Sequence, residues 1–242
     1  MIPRPAQSGA QSPASTITLT LLALAVLALG LTRFMIATQH TSFDRDEARW
    51  IYHAGSVRHL LDPLGPSWAD STVNRDQPPL AGYVLGAGLA LQGQSLHAIG
   101  WWNMSKSRAW NTKHGNMPTH AELFAARRVN AVVGALAAAA LFLLVARLTN
   151  PVGGLAASLA LIAHPLMTQL ASRANSDTLL TLLVLLAALA GVWLAERPTW
   201  PRALLLGALL GLGGADKLTP LGIAAGLGAL GLVLIVWSRF GE

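Results

Sequence analysis

The chain has 242 residues, 53% of them hydrophobic and 12% charged, with no cysteine and a formal net charge of +6. A soluble domain carries about 25% charged residues, so a water-soluble globule is excluded, as are disulfide frameworks, thiolate nucleophiles and Cys-ligated zinc. The basic residues stand singly at the ends of apolar runs rather than in a stripe with interleaved aromatics, which points away from nucleic acid and toward orientation in a membrane.

Residues 1–14 are rich in Pro, Ser, Gln and Ala, carry only Arg4 and have no apolar periodicity; they predict a disordered tail. The first apolar run, 15–35, is long enough to cross a hydrocarbon core about 30 Å thick. Arg33 near its end can snorkel to the interface. The weakly basic start, with no small-residue cleavage site after the run, argues against a cleaved signal peptide.

A polar stretch follows, 37–126, which gathers most of the histidines and five of the eight tryptophans. Inside it, 79–91 is apolar but would reach only about 20 Å as a helix. It is therefore expected to lie on the membrane surface, with Trp101, Trp102 and Trp110 as interfacial anchors. Further spans are predicted at 129–146, 151–172, 178–195, 203–215 (a short one) and 218–238, about six in all with the first.

With the amino terminus in the cytoplasm, this arrangement puts Arg4, Arg147, Arg197, Arg202 and Arg239 inside and Arg173 and Lys217 outside, as the positive-inside rule requires. A crossing at 79–91 would reverse that bias. The loop 37–126 is then external, and 15–242 forms one membrane module. Gly207 with Gly211, and Gly222 with Gly226, have the four-residue spacing that permits close helix contact. No inverted repeat of the transporter kind is visible.

The densest polar chemistry is Asp44-Arg45-Asp46-Glu47-Ala48-Arg49, just beyond the first span. Its charges either keep a loop in water or pair a general base for an acceptor hydroxyl with a guanidinium for a phosphate. His40, His53, His59, His97, His114 and His120 lack metal-ligand spacing; they predict structural or interfacial roles, with no metal site read and a divalent-cation requirement left open. Asn103-Met104-Ser105 fits a glycosylation acceptor, a pattern too short to decide anything.

Five landmarks in order resemble the membrane glycosyltransferases that use polyprenyl-phosphate sugars, the protein mannosyltransferase and aminoarabinose transferase group with the GT-C fold. Asp46-Glu47-Ala48-Arg49 resembles the acidic pair that opens that family's first external loop. Asp76-Gln77-Pro78-Pro79-Leu80 resembles its Pro-Pro-Leu element, with Gln77 where His or Lys is usual. Arg127-Arg128 before Val129-Asn130-Ala131, Ser172-Arg173 with Asp177, and Lys217 after a glycine-rich stretch complete the set.

The resemblance, which spans about residue 21 onward and the amino-terminal half of such an enzyme, implies an all-α polytopic fold with juxtamembrane helices in the first external loop. It also implies inverting transfer of a sugar from a polyprenyl-phosphate lipid to an acceptor on the external, periplasmic face of a bacterial inner or plasma membrane. Asp46 is then the implied general base, with Glu47 beside it. Arg49, Arg128, Arg173, Asp177 and Lys217 are implied donor-phosphate or substrate contacts. The alternative is a non-catalytic scaffold subunit of the same fold, held by membrane-protein partners in a larger complex.

Overall fold

A computed structural model describes residues 13–61, 65–66, 78–96 and 99–217. The predicted helix at 218–238, the Asp76-Gln77 pair and nearly all of the amino-terminal tail lie outside the described residues. Within them the chain is helical throughout: α1 (Pro13–His40), α2 (Arg45–Ala54), a 3-10 turn (Gly55–Leu61), α3 (Leu80–Leu91), α4 (Arg108–Lys113), α5 (His120–Leu148), α6 (Pro151–Ala163), α7 (Pro165–Ala171), α8 (Asp177–Glu196) and α9 (Trp200–Asp216). Among the described residues three helices, α1, α5 and α8, are long and apolar enough to cross a membrane, and α6 with α7 is so only as a bent pair. This is an all-α polytopic membrane protein.

α5 is the axis, packing against α1, α6, α7, α8, α3 and α2. Its buried face is mostly alanine, with Ala131, Ala135, Ala137 and Ala138 in the main cluster, and the space these leave is filled by Phe34, Phe142, Ile162 and Met167. Small residues let backbones approach where lipid supplies no hydrophobic drive. A Cβ on Gly134 would lie 2.6 Å from that of Ala171, and one on Gly154 would lie 2.8 Å from the Phe142 carbonyl oxygen. Gly207 and Gly211, by contrast, meet nothing within 4 Å among the described residues.

Two expected elements take a different form. The run 151–172 is a pair of helices bent by 68° at His164-Pro165. Pro165 has no N–H to give the α6 ladder and its ring excludes the helical conformation at His164, which is extended (φ −67°, ψ 126°) and accepts from the Leu166 N–H through Nδ1 at 3.2 Å. The helix expected from residue 129 starts at His120, where Thr119 and Glu122 form a capping box. Glu122, Arg127 and Arg128 interrupt its first turns, which an apolar-run criterion therefore misses.

The short apolar helix α3 packs on α2, the 3-10 turn and α5, and touches α9. A Cβ on Gly86 would stand 2.2 Å from the Ala54 carbonyl oxygen, and one on Gly82 would stand 2.8 Å from that of His53. The two glycines, one turn apart, let α3 lie directly on the carboxy-terminal end of α2. A second core of Ile51, Ala54, Leu85, Leu89, Leu123, Ala126 and Ala174 sits beneath this pair of helices.

Candidate active site

α2 starts with a capping box: the Asp44 side chain accepts from the backbone of N3, and Glu47 reaches back to the Asp44 N–H at 2.9 Å. Helical spacing then places Asp46, Arg49, Trp50 and His53 on one stripe. These four, with Ser176, Asp177 and Lys217, line a cavity of about 230 Å³. Asp46 is exposed to it, and its carboxylate has no side-chain partner among the described residues.

Opposite α2, Asp177 opens α8 and Lys217 follows the last residue of α9, and the two form an ion pair. A carboxylate in the first turn of a helix also gains from the helix dipole. Asp216, the neighbour of Lys217, is fully buried and neither carboxyl oxygen has a hydrogen-bond partner among the described residues. Burial pushes its carboxyl up to about 7, against the pull of Lys217 and with a further push from Asp177. Ser176 Oγ is also buried without a partner among the described residues.

Glu47 does not line the cavity. Its side chain is 1% exposed and pairs with Arg127, itself 2% exposed, through Nε to Oε1 at 2.8 Å and Nη2 to Oε2 at 2.7 Å. The remaining guanidinium hydrogens go to the carbonyls of Thr38 (3.1 Å), Thr41 (2.8 Å) and Ser42 (3.2 Å). All five donors of the group are used. Glu47 also accepts from the Ala174 N–H at 3.1 Å. One buried, fully satisfied pair thus fastens the end of α1, the start of α2 and the 172–176 loop to α5.

Arg127, not Arg128, carries this contact. Adjacent residues on a helix point about 100° apart, and Arg128 is exposed while Arg127 faces the loop. Arg173 bonds to Asp44 at 3.2 Å, beside the cavity rather than in it. Asn130, three residues on from Arg127, holds the same loop by donating to the carbonyls of Arg173 (2.6 Å) and Asn175 (2.8 Å). Asn130 stands in the sequence within the landmark Arg127-Arg128-Val129-Asn130-Ala131, one turn along α5 from Arg127.

Trp102, expected at the membrane interface, is 3% exposed and lies 5.3 Å from the Phe43 ring. Among the described residues no group of three or more His, Cys, Asp or Glu is placed to hold a metal ion. The cavity therefore offers two cations, one unpaired carboxylate and one paired one, at the end of a membrane bundle, the composition that binds an anionic ester beside a proton acceptor.

No curated protein and no solved structure matches this sequence. The profile of the dolichyl-phosphate-mannose-protein mannosyltransferases matches residues 108–240, more than half of the 242, and the chain belongs to that family.

Proposed function

We propose that the protein transfers a sugar from a polyprenyl-phosphate donor to an acceptor hydroxyl at the cavity, which faces the non-cytoplasmic side. The supporting observation is that Asp46 and Arg49, from a segment upstream of the family match, share one cavity with Asp177 and Lys217 from within it. In this reading the cavity of about 230 Å³ takes the sugar phosphate, and the isoprenoid chain stays in the bilayer.

In the reaction Asp46 takes the proton of the acceptor hydroxyl as that oxygen attacks the anomeric carbon of the donor sugar. The bond from that carbon to the phosphate oxygen breaks from the opposite face, which inverts the configuration. Polyprenyl phosphate leaves with the bonding electron pair, and Arg49 and Lys217 neutralise the charge that develops on it. Asp177 holds Lys217 at the cavity wall, and Arg173 steadies Asp44 at the head of α2. Glu47 acts through position alone, while Arg128, on the exposed side of α5, serves the bundle end and its lipid headgroups.

The test is transfer from a labelled polyprenyl-phosphate sugar by membranes carrying the wild type or Asp46→Asn. A positioned general base contributes about 10²- to 10⁴-fold, and a loss of that size with normal protein levels is expected. Full transfer by the variant removes Asp46 from the reaction. No transfer by the wild type, with stoichiometric co-purification of other membrane proteins, makes the chain a scaffold subunit.

A further inference from the structure

Resting on the reading above, in which Arg49 meets the donor phosphate, the geometry points to Trp101 as the residue that positions the Arg49 guanidinium. The Arg49 guanidinium carbon lies 4.9 Å from the centroid of the Trp101 ring and over its face. A ring face attracts a cation through its quadrupole and favours a guanidinium that lies flat against it. Arg49 also lines the cavity, so a residue of the cavity wall is the one whose cation lies over the ring.

α2 and the loop before α4 are both built for this contact. Arg49, Tyr52 and His53 are spaced i, i+3 and i+4, and so share one face of α2. Trp101 stands edge-on to the other two rings, 5.3 Å from Tyr52 and 5.7 Å from His53, with interplanar angles of 79° and 81°. Such edge-to-face pairs fix the orientation of a ring. His53 also lines the cavity, so the aromatic group bridges the loop and the site.

The backbone on either side of Trp101 is fastened. Gly100 donates to the Gly115 carbonyl at 3.0 Å, and a Cβ there would lie 2.3 Å from Asn116 Oδ1. Trp102 is buried against Phe43, and the Asn103 N–H donates to Asn111 Oδ1 at 2.8 Å, Asn111 being fully buried. Trp101 itself remains 38% exposed. A side chain used only for lipid contact has no need of this scaffold; a ring that must hold a cation in place does.

A mutant cycle tests the assignment in membranes carrying the full chain. Trp101→Leu is expected to raise the KM for the polyprenyl-phosphate sugar about 3- to 30-fold, the range of a single cation–π contact, with the acceptor KM unchanged. Trp101→Phe, which keeps a ring, restores most of it. In an Arg49→Gln background, Trp101→Leu adds nothing further. If wild type and Arg49→Gln behave as the functional reading requires but Trp101→Leu matches wild type, or its effect simply adds to that of Arg49→Gln, Trp101 has no part in positioning Arg49. If Arg49→Gln leaves the donor KM unchanged, the role of Arg49 fails, and the role of Trp101 fails with it. Retention of the detergent-solubilised peak in size exclusion separates these outcomes from misfolding.

Discussion

The two ends of the bundle use the same kind of pair for different purposes. At the cavity end Arg127 and Glu47 are almost wholly buried, and each is saturated with hydrogen bonds from three chain segments. At the opposite end Arg147 and Glu196 also join two helices, α5 and α8, through two N–H to carboxylate contacts, but their side chains are 36% and 37% exposed. Desolvation makes the first pair indispensable once formed. Water and salt make the second one weak.

The contrast predicts a ranking of effects. Arg127→Leu strands the Glu47 carboxylate in a dry site and should cost about 3–5 kcal/mol, seen as loss of folded protein or a sharp fall in thermal unfolding temperature in detergent. Wild-type stability in that variant would mean that water reaches Glu47, and that the two ends do not differ.

Next in size is Asp216→Asn, which probes the other buried charge at the cavity end. The Asp216 carboxyl titrates at about 7 when folded and near 3.8 when unfolded, so between these pH values the folded state holds a proton that the unfolded state has lost. Stability therefore falls as pH rises from about 4 to 7, and stays level above. The Asn variant lacks this slope. It should gain about 2–4 kcal/mol over wild type at pH 8 and little at pH 4, and parallel pH profiles of unfolding temperature would contradict the burial of Asp216.

Gly86→Ala pushes a methyl group onto the Ala54 carbonyl and should cost about 1–3 kcal/mol, read as a lower unfolding temperature with reduced transfer as α3 lifts from α2. The smallest change belongs to the far end, where Arg147→Ala should cost no more than about 1 kcal/mol. A larger loss, or one insensitive to salt, would show that the Arg147–Glu196 pair is shielded from water after all.

Much of this was legible in the chain. Apolar runs located α1 and α8 within about five residues and the carboxy-terminal part of α5, because crossing a bilayer requires length and hydropathy and little else. The order of acidic and basic landmarks selected Asp46, Arg49, Asp177 and Lys217, which the fold brings to one cavity. Length, supported by charge placement, set 79–91 apart from the spans, and α3 packs on α2.

What stayed hidden depends on register. Arg127 and Arg128 are equivalent in composition, and only the rotation of α5 against α2 decides which one meets Glu47. Asp46 and Glu47 are likewise neighbours whose opposite fates follow from a capping box. Pro165 was a visible signal within an apolar run, but hydropathy cannot report a 68° bend. Trp101 and Trp102 look alike in sequence, yet one lies over Arg49 and the other packs inside against Phe43.

The Arg127–Glu47 pair joins residues 80 positions apart, and Ala174 completes it from much further along the chain. During biosynthesis the segment bearing Asp46 leaves the ribosome long before either partner exists. Its helix can take its final seat only after α5 has entered the bilayer and the turn following α7 has reached the same side. The segment that bears Asp46 therefore stays unfastened until the first several spans are in place.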